Sequence, residues 1–438
     1  MTEPEAGAAA GTAGRLPRMG RLLRDEPLAR RIAFGATLLL PPVLLATRAG
    51  SDALLSLVAI LFLATRFAPA SVGVRWSWTL RPWHALALLF WAWQVAVSVA
   101  VGDGHQIVES LVLLRLFVFL AALEGWVLAE PSARRWLGWV VLATALWVGV
   151  ECWQQYLTGT NMFGDPRWGD GALTGPIYAP RAGPTFVLLA FPAFLPVLAR
   201  LLGARRGVMR GAGVAGLALL AVTQVLIGQR MPMLLLVLGF GIIALWIPRL
   251  RMPVAIAIGA GVVLAALSAI VSPPTYAKLV VHFSQQMEHF RATQYADLFE
   301  RAAAMVVAHP WLGLGFDGFR DHCLDHAYFH NLAWFAVADP TSPLGCSIHP
   351  HNYYLQVATG AGLPGLALFV LLAIAWLWRL GHGAGASALR VGLFTAAALI
   401  LWPIASTTSL FTLPNAGWSF LLIGWGLAEA RAAAAARG

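Results

Sequence analysis

Charge is what this chain has least of. Only 11% of its 438 residues are Asp, Glu, Lys or Arg, against about a quarter in an ordinary soluble domain. With 59% hydrophobic residues and a mean hydropathy of +0.72, that scarcity excludes the soluble classes and leaves an all-α polytopic membrane protein. A secretory signal is missing too, since a long polar and basic stretch precedes the first apolar run and no small-residue cleavage site follows it. No internal repeat is visible, which weighs against a transporter built from inverted halves. No nucleic-acid recognition module accompanies the net charge of +10, so that charge reads as membrane topology. Cysteine is scarce, with three residues. Cys152 lies in an apolar run and reads as inert packing. Cys323 and Cys346 share a polar segment, where a disulfide and two free thiols are both open readings.

What is present is a series of apolar runs near the length that a bilayer demands, about 20 residues each. Twelve are expected as helices: 32–47, 51–65, 83–101, 107–128, 136–157, 182–199, 211–227, 233–247, 253–271, 355–378, 391–405 and 416–429. The excess of basic residues in alternate connections puts both termini on the cytoplasmic side. Residues 1–31 then form a disordered cytoplasmic leader, 32–271 the first nine spans, 353–429 the last three, and 430–438 a cytoplasmic tail. Two polar segments fall on the outer side, 158–181 and the large loop 272–352. One amphipathic helical pattern runs through 276–308 and is expected to lie along or dip toward the bilayer. Acids outnumber Lys and Arg in the large loop, so any anion site there must be local.

Several motifs could carry chemistry. "GLGFDG", Gly313 to Gly318, has the spacing of a dinucleotide loop but follows a helix and "HPWL" rather than a strand, so a tight turn back to the membrane is the better reading. His322, His326 and His330 with Cys323, and Cys346 with His349 and His351, have metal-ligand side chains, but not at a standard closed-site spacing; polar loop histidines are expected, with no metal. Arg115 and Glu124 lie within one span on roughly opposite sides, so each should pair with another helix or line a cavity. Arg230 opens an apolar helix at the outer surface. It either snorkels to lipid phosphate or serves as a fixed cation, for which its planar fork suits a phosphate group. In "HPHNYYLQVATGAGLPG", Asn352 is a good helix N-cap, and a neutral His351 beside that positive helix end could take a proton from a hydroxyl. The Gly and Pro residues that follow should end a short helix before the next span.

His351-Asn352 followed by Gly362-x-x-Gly365 resembles the signature of bacterial O-antigen ligases, within the O-antigen ligase and polymerase superfamily. "GQRMPMLLLVLG", "AHPWLGLGFDGF" with Pro310, Gly313, Gly315 and Phe319, and twelve spans with one large outer loop resemble the family in the same order. The resemblance implies a GT-C-like glycosyltransferase. It would move a glycan from undecaprenyl diphosphate to a hydroxyl of the lipid A-core oligosaccharide at the periplasmic face of the bacterial inner membrane. The reaction would be inverting and would need neither metal nor other cofactor; the partners are those two substrates and membrane lipids, with no nucleic acid. On the same grounds His351 is the expected base and Arg230 the group holding the diphosphate. The family's second loop arginine has no exact counterpart: Tyr295 stands at its place, Arg291 one helical turn earlier and Arg301 later. Arg291 is taken as the second catalytic cation, with Arg301, Tyr295, His349 and Asn352 as substrate contacts. The rival readings are the polymerase of the same superfamily, a protein O-oligosaccharyltransferase and, in a different class, a lipid or solute transporter.

Overall fold

The computed structural model describes residues 28–67, 81–404 and 408–437. Nearly all of the expected leader, and the basic connection after the second apolar run, lie outside the described residues. What is described is helical, and no residue of it belongs to a multi-residue strand.

Each expected apolar run overlaps a helix, although the helix in the run 391–405 ends at Ile400 and residue 405 lies outside the described residues. In chain order they are α1 (Leu28–Ala46), α2 (Arg48–Phe67), α3 (Pro82–Val101), α4 (Gly104–Val127), α5 (Pro131–Thr158), α6 (Ala182–Leu202), α7 (Gly207–Ile227), α8 (Arg230–Trp246) and α9 (Arg251–Val271). The long segment 272–352 contributes α10 (His282–Glu288), α11 (Gln294–Ala308) and α12 (Gly318–His322), after which come α13 (Tyr353–Gly381), α14 (Ala388–Ile400) and α15 (Asn415–Ala435). Among the described residues nine helices are long and apolar enough to cross a membrane, so the protein is a multi-pass membrane protein. α8 and α14 are apolar but shorter, at 17 and 13 residues.

Burial orders the bundle. Two thirds of the α6 window is buried (67%), against 17% for the window that includes α9, so α6 is central and α9 peripheral. α6 packs against α5, α7 and α14, while α3 packs along α13 and α2 along α4. Aromatic rings fill the seam of α3, α4, α13 and α15: Phe90 meets Phe117 and Phe369 at 6.2 and 5.8 Å, and Phe117 meets Phe420 at 5.7 Å. Such offset contacts are the favourable ring geometries. The intramembrane charges are paired across helices. Arg115 reaches Asp52 at 2.7 Å, and Glu124 takes Arg81 at 3.0 Å and the Trp83 indole at 3.1 Å.

The single amphipathic helix expected over 276–308 is instead broken into a π turn (Ala277–Val281), α10, a 3-10 turn (Phe290–Ala292) and α11. Thr293 explains the last break. It is extended, and its hydroxyl accepts from the Ala296 N–H, which begins a new helix.

α13 is two helices joined at Gly362, whose φ of 67° interrupts the regular turn. The break leaves backbone groups that a membrane interior must satisfy. Pro364 has no N–H to give the Gly360 carbonyl, and Gly315 N–H supplies it at 3.0 Å. Leu314 N–H reaches the Thr359 carbonyl at 2.8 Å, and Leu363 N–H goes to the Pro310 carbonyl at 2.7 Å. Trp93 donates to the Ala361 carbonyl at 2.8 Å. "HPWLGLG" is therefore a turn clamped to the kink by backbone bonds. The approach is so close that a Cβ on Gly313 would lie 2.7 Å from the Gly360 carbonyl carbon.

Candidate functional site

The kink sets the position of the short helix at the start of α13, and with it His351. Asn352 caps that helix, its carboxamide oxygen accepting from the N–H groups of Tyr354 and Leu355 at 2.9 and 3.1 Å. His351 just before it has φ 52°, the only left-handed non-glycine residue among those described. A residue held there costs of order 1–3 kcal/mol and is fixed by its surroundings. One fixing contact is visible, since the His351 N–H donates to His349 Nδ1 at 3.2 Å. His349 is 5% exposed. Burial, and then the nearby His351, push its pKa down to about 4, so it is neutral and keeps Nδ1 as an acceptor. The His351 ring stands edge-on to His349 at 4.5 Å and to Tyr295 at 5.6 Å.

Arg230 starts α8 and is held by the loop above it. Its Nε donates to the Lys278 carbonyl at 2.7 Å and its Nη1 to the Gln286 side-chain oxygen. Lys278 in turn pairs with Asp170 from the segment 158–181. Burial works to raise the Asp170 carboxyl, but the Lys278 ammonium and the Ala172 N–H hold it below the usual range. Arg230 borders a cavity of about 470 Å³ with His282, Gln285, Gln286, His289 and Gln294. The residue after Gln294 is Tyr295, which touches His351 and lies within electrostatic reach of Arg230. One residue thus connects the expected cation to the expected base.

The other candidates are placed differently. Arg291 is exposed in the 3-10 turn, where its carbonyl accepts from Ala338 N–H, and it does not line the Arg230 cavity. Arg301 is 2% exposed. Its guanidinium donates to the carbonyls of Cys323, Pro340 and Ser342 and lies 4.0 Å from the centre of the Phe329 ring, so it knits the loop together. Cys323 and Cys346 are joined as a disulfide, with Cα atoms 5.0 Å apart. His322 pairs with Asp325 at 2.8 Å and His309 with Tyr328 at 3.0 Å; no three metal-ligand side chains converge among the described residues. Gln285, Gln286, His282 and His289 are site residues that motif reading passed over. Their signal is helical spacing: positions 282, 285 and 286 share one face of α10, and His289 follows directly at its end.

A membrane-embedded helical bundle, with a hollow bordered by Arg230 at the start of α8 and by His282, Gln285, Gln286, His289 and Gln294 of the segment 272–352, is the class of protein defined here. Residues 215–370 match the family model described as O-Antigen ligase, in agreement with the O-antigen ligase superfamily. The match runs from α7 to α13 and includes Arg230, Tyr295, the glycine turn, the kink and His351. Members of this family are glycosyltransferase-like ligases and polymerases. No curated protein matches the chain.

Proposed function

We propose that this protein is an O-antigen ligase acting at the periplasmic face of the bacterial inner membrane. It transfers a glycan from undecaprenyl diphosphate to a hydroxyl of the lipid A-core oligosaccharide. His351 takes the proton of the acceptor hydroxyl as that oxygen forms a bond to the anomeric carbon. The bond from that carbon to the diphosphate breaks, and its electron pair leaves on the phosphate oxygen. One displacement of this kind inverts the anomeric centre. Arg230 offsets the charge developing on the leaving group. Arg291 stands as a second cation for the diphosphate, His349 positions His351, and Tyr295 offers a hydroxyl between base and cation. Asn352 presents the capped helix start to the substrate. The GT-C-like architecture, twelve crossings and cytoplasmic termini are part of the same reading.

The observation that supports it is Tyr295, whose ring meets that of His351 at 5.6 Å and which lies within electrostatic reach of Arg230. The test is reconstitution with undecaprenyl-diphosphate-linked glycan and either lipid A-core or a second glycan unit as acceptor. We expect transfer to the lipid A-core, and His351→Ala and Arg230→Ala to lower it at least about tenfold while inserting normally. Full activity in His351→Ala rejects its role as base. Transfer only to the glycan acceptor makes the protein a polymerase, and loss of transfer with EDTA brings back a metal.

A further inference from the structure

At the end of the bundle away from His351, a second cavity of about 540 Å³ opens between α6, the 3-10 turn Pro248–Leu250 and the start of α14. Pro196, Ala199 and Leu389 form an apolar wall, and Arg200, Arg249 and Ser387 supply its polar groups. No carboxylate lines it. Neither Arg200 nor Arg249 has an ion-pair or side-chain hydrogen-bond partner among the described residues, although Arg249 is close enough to Gly203 that a Cβ there would lie 3.6 Å from its Nη1. Ser387 precedes the 13-residue α14 without bonding back to it through its side chain, so the first N–H groups of that helix remain available. Arg390, in the same first turn, is 6% exposed and does not line the cavity, and its guanidinium donates to the Gly383 and His382 carbonyls at 2.7 Å each, so the guanidinium groups free at the mouth are those of Arg200 and Arg249. The start of α14 and the two lining arginines together carry a positive field that no lining carboxylate neutralises.

We propose that this cavity binds a phosphate group. Two guanidinium forks and a helix start are donors suited to phosphate oxygens, and the apolar wall suits a phosphate that belongs to a lipid headgroup. The site is separate from the glycan-transfer hollow and does not depend on that reaction.

The purified full chain in detergent is titrated with dioctanoyl phosphatidylglycerol, with dioctanoyl phosphatidylcholine and with inorganic phosphate, and adducts are read by native mass spectrometry. Saturable binding of phosphatidylglycerol above phosphatidylcholine identifies a lipid source; saturable binding of inorganic phosphate without the lipid identifies a free one. In either case Arg200→Gln/Arg249→Gln should weaken binding at least about tenfold, since each removes a charged hydrogen-bond donor to the phosphate. Arg205→Gln/Arg206→Gln, which removes charge beside the cavity without touching its lining, should leave binding unchanged. Ala388→Asp puts a carboxylate in the mouth at a helix position that favours it, and should abolish binding even if the double variant folds poorly. Equal losses in the two arginine pairs, undiminished binding in Ala388→Asp, or no saturable binding by any probe overturns the proposal.

Discussion

Acid should destabilise this protein through His349. Its ring is buried, and its pKa of about 4 lies below the ordinary value of 6.5. As pH falls below 6.5 the unfolded chain takes up a proton that the folded chain refuses until about 4. Stability attached to the neutral ring is therefore fully present near neutrality and is lost across the window from 6.5 down to 4. The loss is about 2 kcal/mol at pH 5 and reaches about 3 kcal/mol once both states are protonated. Geometry gives the same sign, because protonating Nδ1 would set a donor against the His351 N–H that it now accepts. His349→Asn keeps an acceptor near that N–H but does not titrate. The assay is denaturant unfolding in detergent, followed by tryptophan fluorescence from pH 4 to 7.5 for both proteins. The wild-type stability should fall relative to the variant by the amounts above. Parallel profiles across that range would refute the assignment of a buried neutral ring.

Arg301→Ala should lower the stability of the segment 272–352 by about 3 kcal/mol or more, because three carbonyls, two of them in buried bonds, lose a charged donor; hydrogen exchange over 318–346 would reveal it, and unchanged protection there would mean that the guanidinium is not structural. Gly362→Ala should cost at least about 1 kcal/mol from its left-handed backbone and more from contact with the Trp311 carbonyl, read as a lower melting temperature and reduced transfer together. Reducing the Cys323–Cys346 disulfide should loosen the loop by about 3 kcal/mol, the cost of freeing a 23-residue separation, and protease sensitivity between those cysteines would report it.

Hydropathy by itself determined that the chain crosses a membrane many times, because a bilayer admits backbone only where its polar groups are satisfied within helices. It also pointed to each long apolar helix, since apolar length needs no partner to be read, although the run over 391–405 overreached α14. Local chemistry was equally legible: Asn352 reads as a cap, Gly362 and Pro364 as a break, and Gly313 and Gly315 as a turn, and each takes that role. The unbroken pattern over 276–308 misled because periodicity persists through the π and 3-10 turns that interrupt the helix there. Only the tertiary structure decided which turn clamps which break, since the bond from Gly315 to Gly360 spans 45 residues with no pattern linking them. It alone separated the arginines. Arg230, Arg291 and Arg301 are alike as letters, yet one borders the hollow beside α10, one lies exposed in a short turn and one is consumed by three carbonyls. A guanidinium's role follows from which acceptors surround it, and those acceptors come from segments that meet only when the chain has folded.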